Sequence, residues 1–336
     1  MAYTTIDNPE LYFQCKIWTG NNSGSGISIT LDGDENMQPD LVWVKSRDAT
    51  HAHVLYDSVR TSPAKYLLQP NNAIAERTAT IGSFDSDGVT FSDNDGFYNG
   101  SGTYVGWFWK ESTTAGLDIV SFTGSGSART VSHSLSAVPH LMWVKNRADA
   151  TQHNIYHHKN TSNPETEIIY VNLTNATSDD NGFWDDTAPT SSVFTVGGDN
   201  GTNGSSDAII AYLWTEKQGF SKFGSYQGNS STDGSFIYCG FSPAWIMVKK
   251  TNESDSADWL ILDNKRDTFN PRDSHLDANQ SDAESSASWV YCDHLSNGFK
   301  WRANDETHNE SGSTYIFMAF AEAPFVNSKG VPANAR

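Results

Sequence analysis

One short phrase occurs three times along this chain of 336 residues. It reads Pro39-Asp40-Leu41-Val42-Trp43-Val44-Lys45, then Pro139-His140-Leu141-Met142-Trp143-Val144-Lys145, then Pro243-Ala244-Trp245-Ile246-Met247-Val248-Lys249. The prolines stand 100 and 104 residues apart, the size of a small domain and far beyond a solenoid repeat. Other landmarks keep the same order. An aromatic two residues before a glycine precedes each phrase: Trp18-Thr19-Gly20, Phe122-Thr123-Gly124 and Tyr226-Gln227-Gly228. A second apolar stretch follows each phrase, at His53–Asp57, His153–His157 and Trp259–Asp263. Each unit closes on an aromatic run, at Tyr104–Trp109, Ile210–Trp214 and Tyr315–Phe320. This order predicts one unit copied twice, with separate cores in residues 1–113, 114–217 and 218–336.

The phrase has strand character. Leu41, Trp43 and Lys45 share one face and Val42 and Val44 the other, so the strand is expected to be buried on both sides. Its proline falls at the start, where a missing N–H does no harm to the ladder. Helical periodicity is nearly absent; the best stretch, Ala64 to Arg77, is broken by Pro70-Asn71-Asn72 and predicts a turn or two at most. Between the strands lie turn-rich runs such as Asp85-Ser86-Asp87-Gly88 and Asp93-Asn94-Asp95-Gly96. Short strands so punctuated predict an all-β chain of three tandem antiparallel β-sandwich domains, of jelly-roll kind.

Apolar residues make up only 37% of the chain, but 11 Trp, 13 Tyr and 17 Phe supply large buried areas from few positions. The net charge of −18 argues against nucleic acid, which requires clustered Lys or Arg, and against anionic membranes. No apolar run reaches membrane-spanning length, and Met1 to Gln14 lacks the pattern of a signal peptide. Of the three cysteines, Cys239 and Cys292 could meet across the third sandwich, although buried free thiols are the expected state. No zinc spacing occurs, and neither a metal nor a cofactor is expected.

Several stretches together resemble a known family: Pro39 to Arg47, His53 to Arg60, Ser83 to Gly88, Thr103 to Trp107, the opening Met1 to Asp7 and the ending Tyr315 to Phe325. It comprises tail-associated and other virion proteins of marine bacteriophages that carry a repeated domain of unknown function. The resemblance implies a sandwich akin to the concanavalin-like lectins, and with it carbohydrate binding. The second unit departs most, with His157 in place of Asp57 and no Asp-Ser-Asp-Gly before Val193. The third has Met247 where the others have tryptophan.

Three constellations are candidates for chemistry. The first is the polar set after each phrase: Arg47, His53, Asp57 and Arg60, then Arg147, His153 and His157, then Lys250, Asp263 and Arg266. As a ligand site it would bind sugar hydroxyls through planar carboxylate and guanidinium groups. The alternative, a cross-strand ion pair that any sandwich accommodates, carries more weight. The second is the Asp-rich loop pair, which reads better as hairpin turns than as a calcium loop. The third is a stacking platform at Trp184, Trp289 and Trp301, set against ordinary core positions. Of enzymes there is little sign. A Glu-x-Asp-x-x-Glu run, a Gly-x-Ser-x-Gly elbow and a phosphate loop are all missing, and His157-His158 reads as surface loop.

The expectation is therefore a non-enzymatic virion protein, assembled in the host bacterial cytoplasm. The favoured form is a tail fibre or tail-associated component that contacts host surface polysaccharide and other virion proteins. By analogy with other fibres it would form a homo-oligomer, a trimer. Capsid decoration, cement or head-fibre duty is the alternative, and a polysaccharide depolymerase the less favoured one.

Overall fold

The computed structural model describes residues 2–60, 66–78, 81–253 and 258–332. The first segment contains β1 (Phe13–Thr19), β2 (Ile27–Thr30), β3 (Leu41–Ser46), β4 (Val54–Asp57), β5 (Tyr66–Leu67), β6 (Arg77–Thr78), β7 (Ile81–Asp85), β8 (Gly88–Phe91) and β9 (Thr103–Trp109). The second contains β10 (Leu117–Thr123), β11 (Arg129–Ser132), β12 (Leu141–Asn146), β13 (Asn154–His157), β14 (Glu167–Tyr170), β15 (Ser178–Asp179), β16 (Val193–Val196) and β17 (Ala208–Trp214). The third contains β18 (Ser221–Gln227), β19 (Phe236–Tyr238), β20 (Phe241–Lys250), β21 (Leu260–Asp263), β22 (Ser274–Asp277), β23 (Ser285–Ser286), β24 (Cys292–Leu295), β25 (Gly298–Trp301) and β26 (Thr314–Pro324).

The chain is all-β, and its named strand pairs are antiparallel. Each segment builds one large sheet in the same order: β1-β9-β3-β4, then β10-β17-β12-β13-β14-β15, then β18-β26-β20-β21-β22-β23. The repeated phrase is the strand beside the aromatic closing strand, with Trp43 opposite Trp107, Trp143 opposite Tyr212 and Met247 opposite Met318. A smaller sheet accompanies each large one: β2-β8-β7, β11-β16 and β19-β25-β24. The stretch named as the best helical candidate holds no helix from Tyr66 onward; β5 and β6 pair there, and Ala64 and Lys65 lie outside the described residues.

The two faces of the phrase have different destinations. Val42 and Val44 pack with Ile29, Val89, Phe91 and Phe108 between the first segment's two sheets, and Met142 and Val144 do the same in the second segment. Leu41 and Trp43 point the other way, into a cluster fed by all three segments. The Trp43 ring lies 5.3 Å from Trp143 and 6.5 Å from Trp245, and Phe13 stacks on Phe320 at 4.9 Å. Where these rings meet, only about 10 Å³ of space remains, about the least that could hold one water. The first and second segments thus keep cores of their own, and a further core that the sequence did not announce is shared by all three. The second covering for each doubly buried sheet is the other copies of itself.

Two glycine-dependent approaches explain another landmark. A Cβ on Gly20 would stand 2.0 Å from the Gly100 carbonyl oxygen, and one on Gly124 2.0 Å from that of Gly204. The chain after β1 and β10 thus runs against the loop before the closing strand, at a separation only glycine permits.

Candidate functional site

The polar residues after the phrase lie at the seams where one segment meets the next. Arg60 is buried in the first segment, where its Nε binds Asp57, its Nη1 reaches Glu76 at 3.0 Å and its Nη2 donates to the Leu55 carbonyl at 3.1 Å. Arg147 of the second segment grips the same Glu76 with two bonds of 2.8 Å. Between the third and first segments the arrangement recurs. Arg266 binds Asp263 at 2.6 Å and Glu284 at 3.3 Å, and Arg47 holds Glu284 at 2.8 and 2.9 Å. Burial pushes the Asp263 carboxyl up, but the Arg266 guanidinium outweighs it and holds the group below its ordinary range.

Between the second and third segments every partner has been exchanged. Register places Thr251 at the position of Arg47 and Arg147, and Thr177 at that of Glu76 and Glu284. The same backbone bond joins each pair: Glu76 N–H to Arg147 O at 2.8 Å, Glu284 N–H to Arg47 O at 2.7 Å, and Thr177 N–H to Thr251 O at 2.8 Å. Lys250, matched to Arg47 by sequence, sits one position away and pairs with Glu253 and Glu310. Asn160 replaces Arg60 and accepts from Thr177 at 2.7 Å. His157 replaces Asp57 and, buried, shares a hydrogen bond with the Phe317 carbonyl at 3.2 Å. It is not the surface residue expected from the His157-His158 pair. Taken in turn, first to second, second to third and third to first, the seams close a ring.

The histidines of the set are buried in these seams. His53 Nδ1 accepts from Trp43 Nε1 at 2.9 Å, leaving its Nε2 proton for the Asp277 carbonyl of the third segment at 3.1 Å. His153 accepts likewise from Trp143 at 3.0 Å. Burial, followed by the nearby Lys45 or Lys145 charge, keeps both imidazoles well below their ordinary pKa. In the third segment the pair becomes Met247 and Trp259, and Trp259 Nε1 donates to the Tyr170 carbonyl at 2.8 Å.

The sequence set is thus brought together, but between segments rather than on one open face. Its charged members are paired, Asp57 with Arg60 and Asp263 with Arg266 inside the set, and Arg47, Arg147 and Lys250 with glutamates outside it. Breaking such a pair by removing one partner typically costs about 3–5 kcal/mol, so this arrangement serves cohesion. Asp85 and Gly88 close a hairpin, as expected of turn residues. Among the described residues no cluster of three or more His, Cys, Asp or Glu is placed to hold a metal. Trp184 and Trp301 are core, with 0% exposure each, whereas Trp289 is 38% exposed. All three cysteines are buried free thiols.

Sequence reasoning missed the acidic halves of the seam clusters, Glu76 and Glu284, which lie 71 and 237 residues from their cross-seam partners Arg147 and Arg47. It also missed a buried asparagine. Asn99, Asn203 and Asn309 each accept from the backbone N–H of the loop after the first strand, at 2.9, 2.8 and 3.0 Å. Each donates back to that loop as well. The signal was present as Asp-x-x-x-Asn, at Asp95–Asn99, Asp199–Asn203 and Asp305–Asn309.

Residues 8–324 match the family described as a domain of unknown function (DUF7483). The chain belongs to that family. The match runs through all three segments as one stretch, in keeping with the core cluster that all of them share. No curated protein matches the chain. In this DUF7483 member the seams also set the cavities. One of about 190 Å³ lies near Cys15 and Asn264, between the first and third segments. Another of about 330 Å³ lies between the second and third, beside Thr177 and Thr251.

Proposed function

We propose that this DUF7483 protein is a non-enzymatic structural protein of a bacteriophage virion, built as three tandem lectin-like jelly-roll sandwiches. In this reading it belongs to the tail and presents its loops to host surface glycans. The observation that carries the reading is the use made of its polar chemistry. The buried carboxylates, guanidiniums and imidazoles after the phrase are spent on holding segments together. A body locked in this way keeps several surfaces in fixed relation, and many weak contacts then gain strength from being presented together. Assembly with other virion proteins, as a homo-oligomer and by analogy a trimer, belongs to the same reading.

Antibody-gold labelling of purified particles tests the location, with label at the tail expected and label on the capsid faces overturning it in favour of decoration. A glycan array probed with a multivalent form tests the contact, and no binding there would remove the glycan. Release of reducing ends from host polysaccharide would overturn the non-enzymatic reading.

A further inference from the structure

The second–third seam differs from the other two in what fills it. Where they hold two arginines, an aspartate and a glutamate, this one holds Asn160, His157, Thr177 and Thr251. The shorter side chains leave the cavity of about 330 Å³, at the small end of the roughly 300–1,000 Å³ range of small-molecule sites. Its wall has one chemical character. Among the described residues, Thr161, Thr177, Thr251 and Thr314 bring hydroxyls, Asn160 and Asn252 bring amides, and Glu167 brings the one carboxylate. The floor is anchored, with Asn160 and Thr251 buried, while Thr161 and Asn252 form an exposed rim. Internal bonds fix several of these groups: Thr177 Oγ1 to Asn160 at 2.7 Å, Thr251 Oγ1 to the Thr314 carbonyl at 3.2 Å, and Thr314 N–H to Asn252 at 3.0 Å.

We infer that this cavity is a binding site for one neutral sugar residue, such as the end of a host glycan. It rests on the glycan-contact reading and gives that contact an address. A wall of hydroxyls and amides matches a ligand dense in hydroxyls. Among the described residues no cation lines it, so an acidic sugar meets the Glu167 carboxylate and is rejected, whereas that carboxylate can accept from vicinal hydroxyls of a neutral one. No aromatic ring among the described residues lines it either, which removes stacking and leaves weak affinity per site, compensated when many copies bind together.

The protein itself supplies the decisive variant. Thr177→Glu with Thr251→Arg copies the Glu76–Arg147 pair into this seam and fills the cavity with an ion pair already used next door. Glu167→Gln keeps shape and removes the charge. Saturation-transfer NMR and calorimetry with glucose, galactose, N-acetylglucosamine and their disaccharides, and glucuronic acid as charged control, read the result on the full chain. At least one neutral sugar should bind saturably, and glucuronic acid more weakly. The double variant should lose at least about tenfold in affinity, and Glu167→Gln a smaller factor, with unchanged thermal unfolding of the single variant as the check on folding. Equal binding by both variants overturns the site while leaving the glycan reading standing. Array binding without any neutral-sugar binding does the same. Loss of all glycan binding by the unaltered chain removes both.

Discussion

Tyr212 of the second segment donates its hydroxyl to the Asp57 carboxylate of the first at 2.7 Å, both shut away from solvent. Trp107 donates its indole Nε1–H to the Asp263 carboxylate across the next seam, at 3.1 Å. Met318 stands at the third equivalent position, where His157 has replaced the aspartate and requires no such donor. Hydrogen bonds to charged groups contribute about 1.5–3 kcal/mol, so Tyr212→Phe should lower stability by that amount in urea unfolding. Met318→Leu should cost less than about 1.5 kcal/mol. Equal midpoints for Tyr212→Phe and the parent chain would refute the seam's energetic role.

The Trp43–His53 pair and its counterpart Met247–Trp259 exchange volume between facing positions. Trp43→Met alone should open space at the shared centre and cost about 3 kcal/mol. Adding His53→Trp should restore at least half of that, since the new indole takes over the role Trp259 has in the third segment. A double-mutant cycle by chemical denaturation measures the coupling, and additive losses would contradict the equivalence.

Lys45, Lys145 and Lys249 lie on the inward face of the phrase, each capped by carbonyls rather than by a carboxylate. Burial pushes their ammonium groups down to about 8, about 8 and about 7. An unfolded lysine titrates near 10.4, so between these values the unfolded chain binds more protons. Stability should therefore rise as pH climbs from about 7 towards 10. Urea midpoints across that range check it, and Lys249→Met should reduce the slope.

His157 behaves in the opposite pH range. Burial, with the His158 charge second, brings it down to about 3, against about 6.5 when unfolded. The unfolded state then binds more protons between the two, and stability falls as pH drops from about 6.5 towards 3. His157→Gln keeps a donor for the Phe317 carbonyl and titrates nothing, so its acid limb should be flatter. An unchanged limb would assign the titration to other groups.

The strands of the phrase were legible because Leu41-Val42-Trp43-Val44 is apolar on both faces, and both faces are indeed covered. What covers the Trp43 face was not legible, since nothing local says that a sheet's partner is its own distant copy. The same holds for the site. Asp57 and Arg60 lie close enough in sequence to suggest an ion pair, and they form one. Glu76 lies 16 residues beyond Arg60 and Arg147 a further 71, distances no spacing rule spans. Trp184 and Trp301 were candidates because they stand outside the shared strands, yet both are core. The Asp-x-x-x-Asn repeat was in plain view; its asparagine reads as loop until the backbone it holds is seen.

Ring closure also governs how this architecture can change over generations. A solenoid gains or loses a repeat at its end and remains a solenoid. Here the third segment must reach the first, through Arg47–Glu284 and Trp107–Asp263. A fourth copy would find no opening, and a chain of two would leave an indole-lined wall facing water. A change in copy number therefore breaks seams that a change within one outward loop leaves intact.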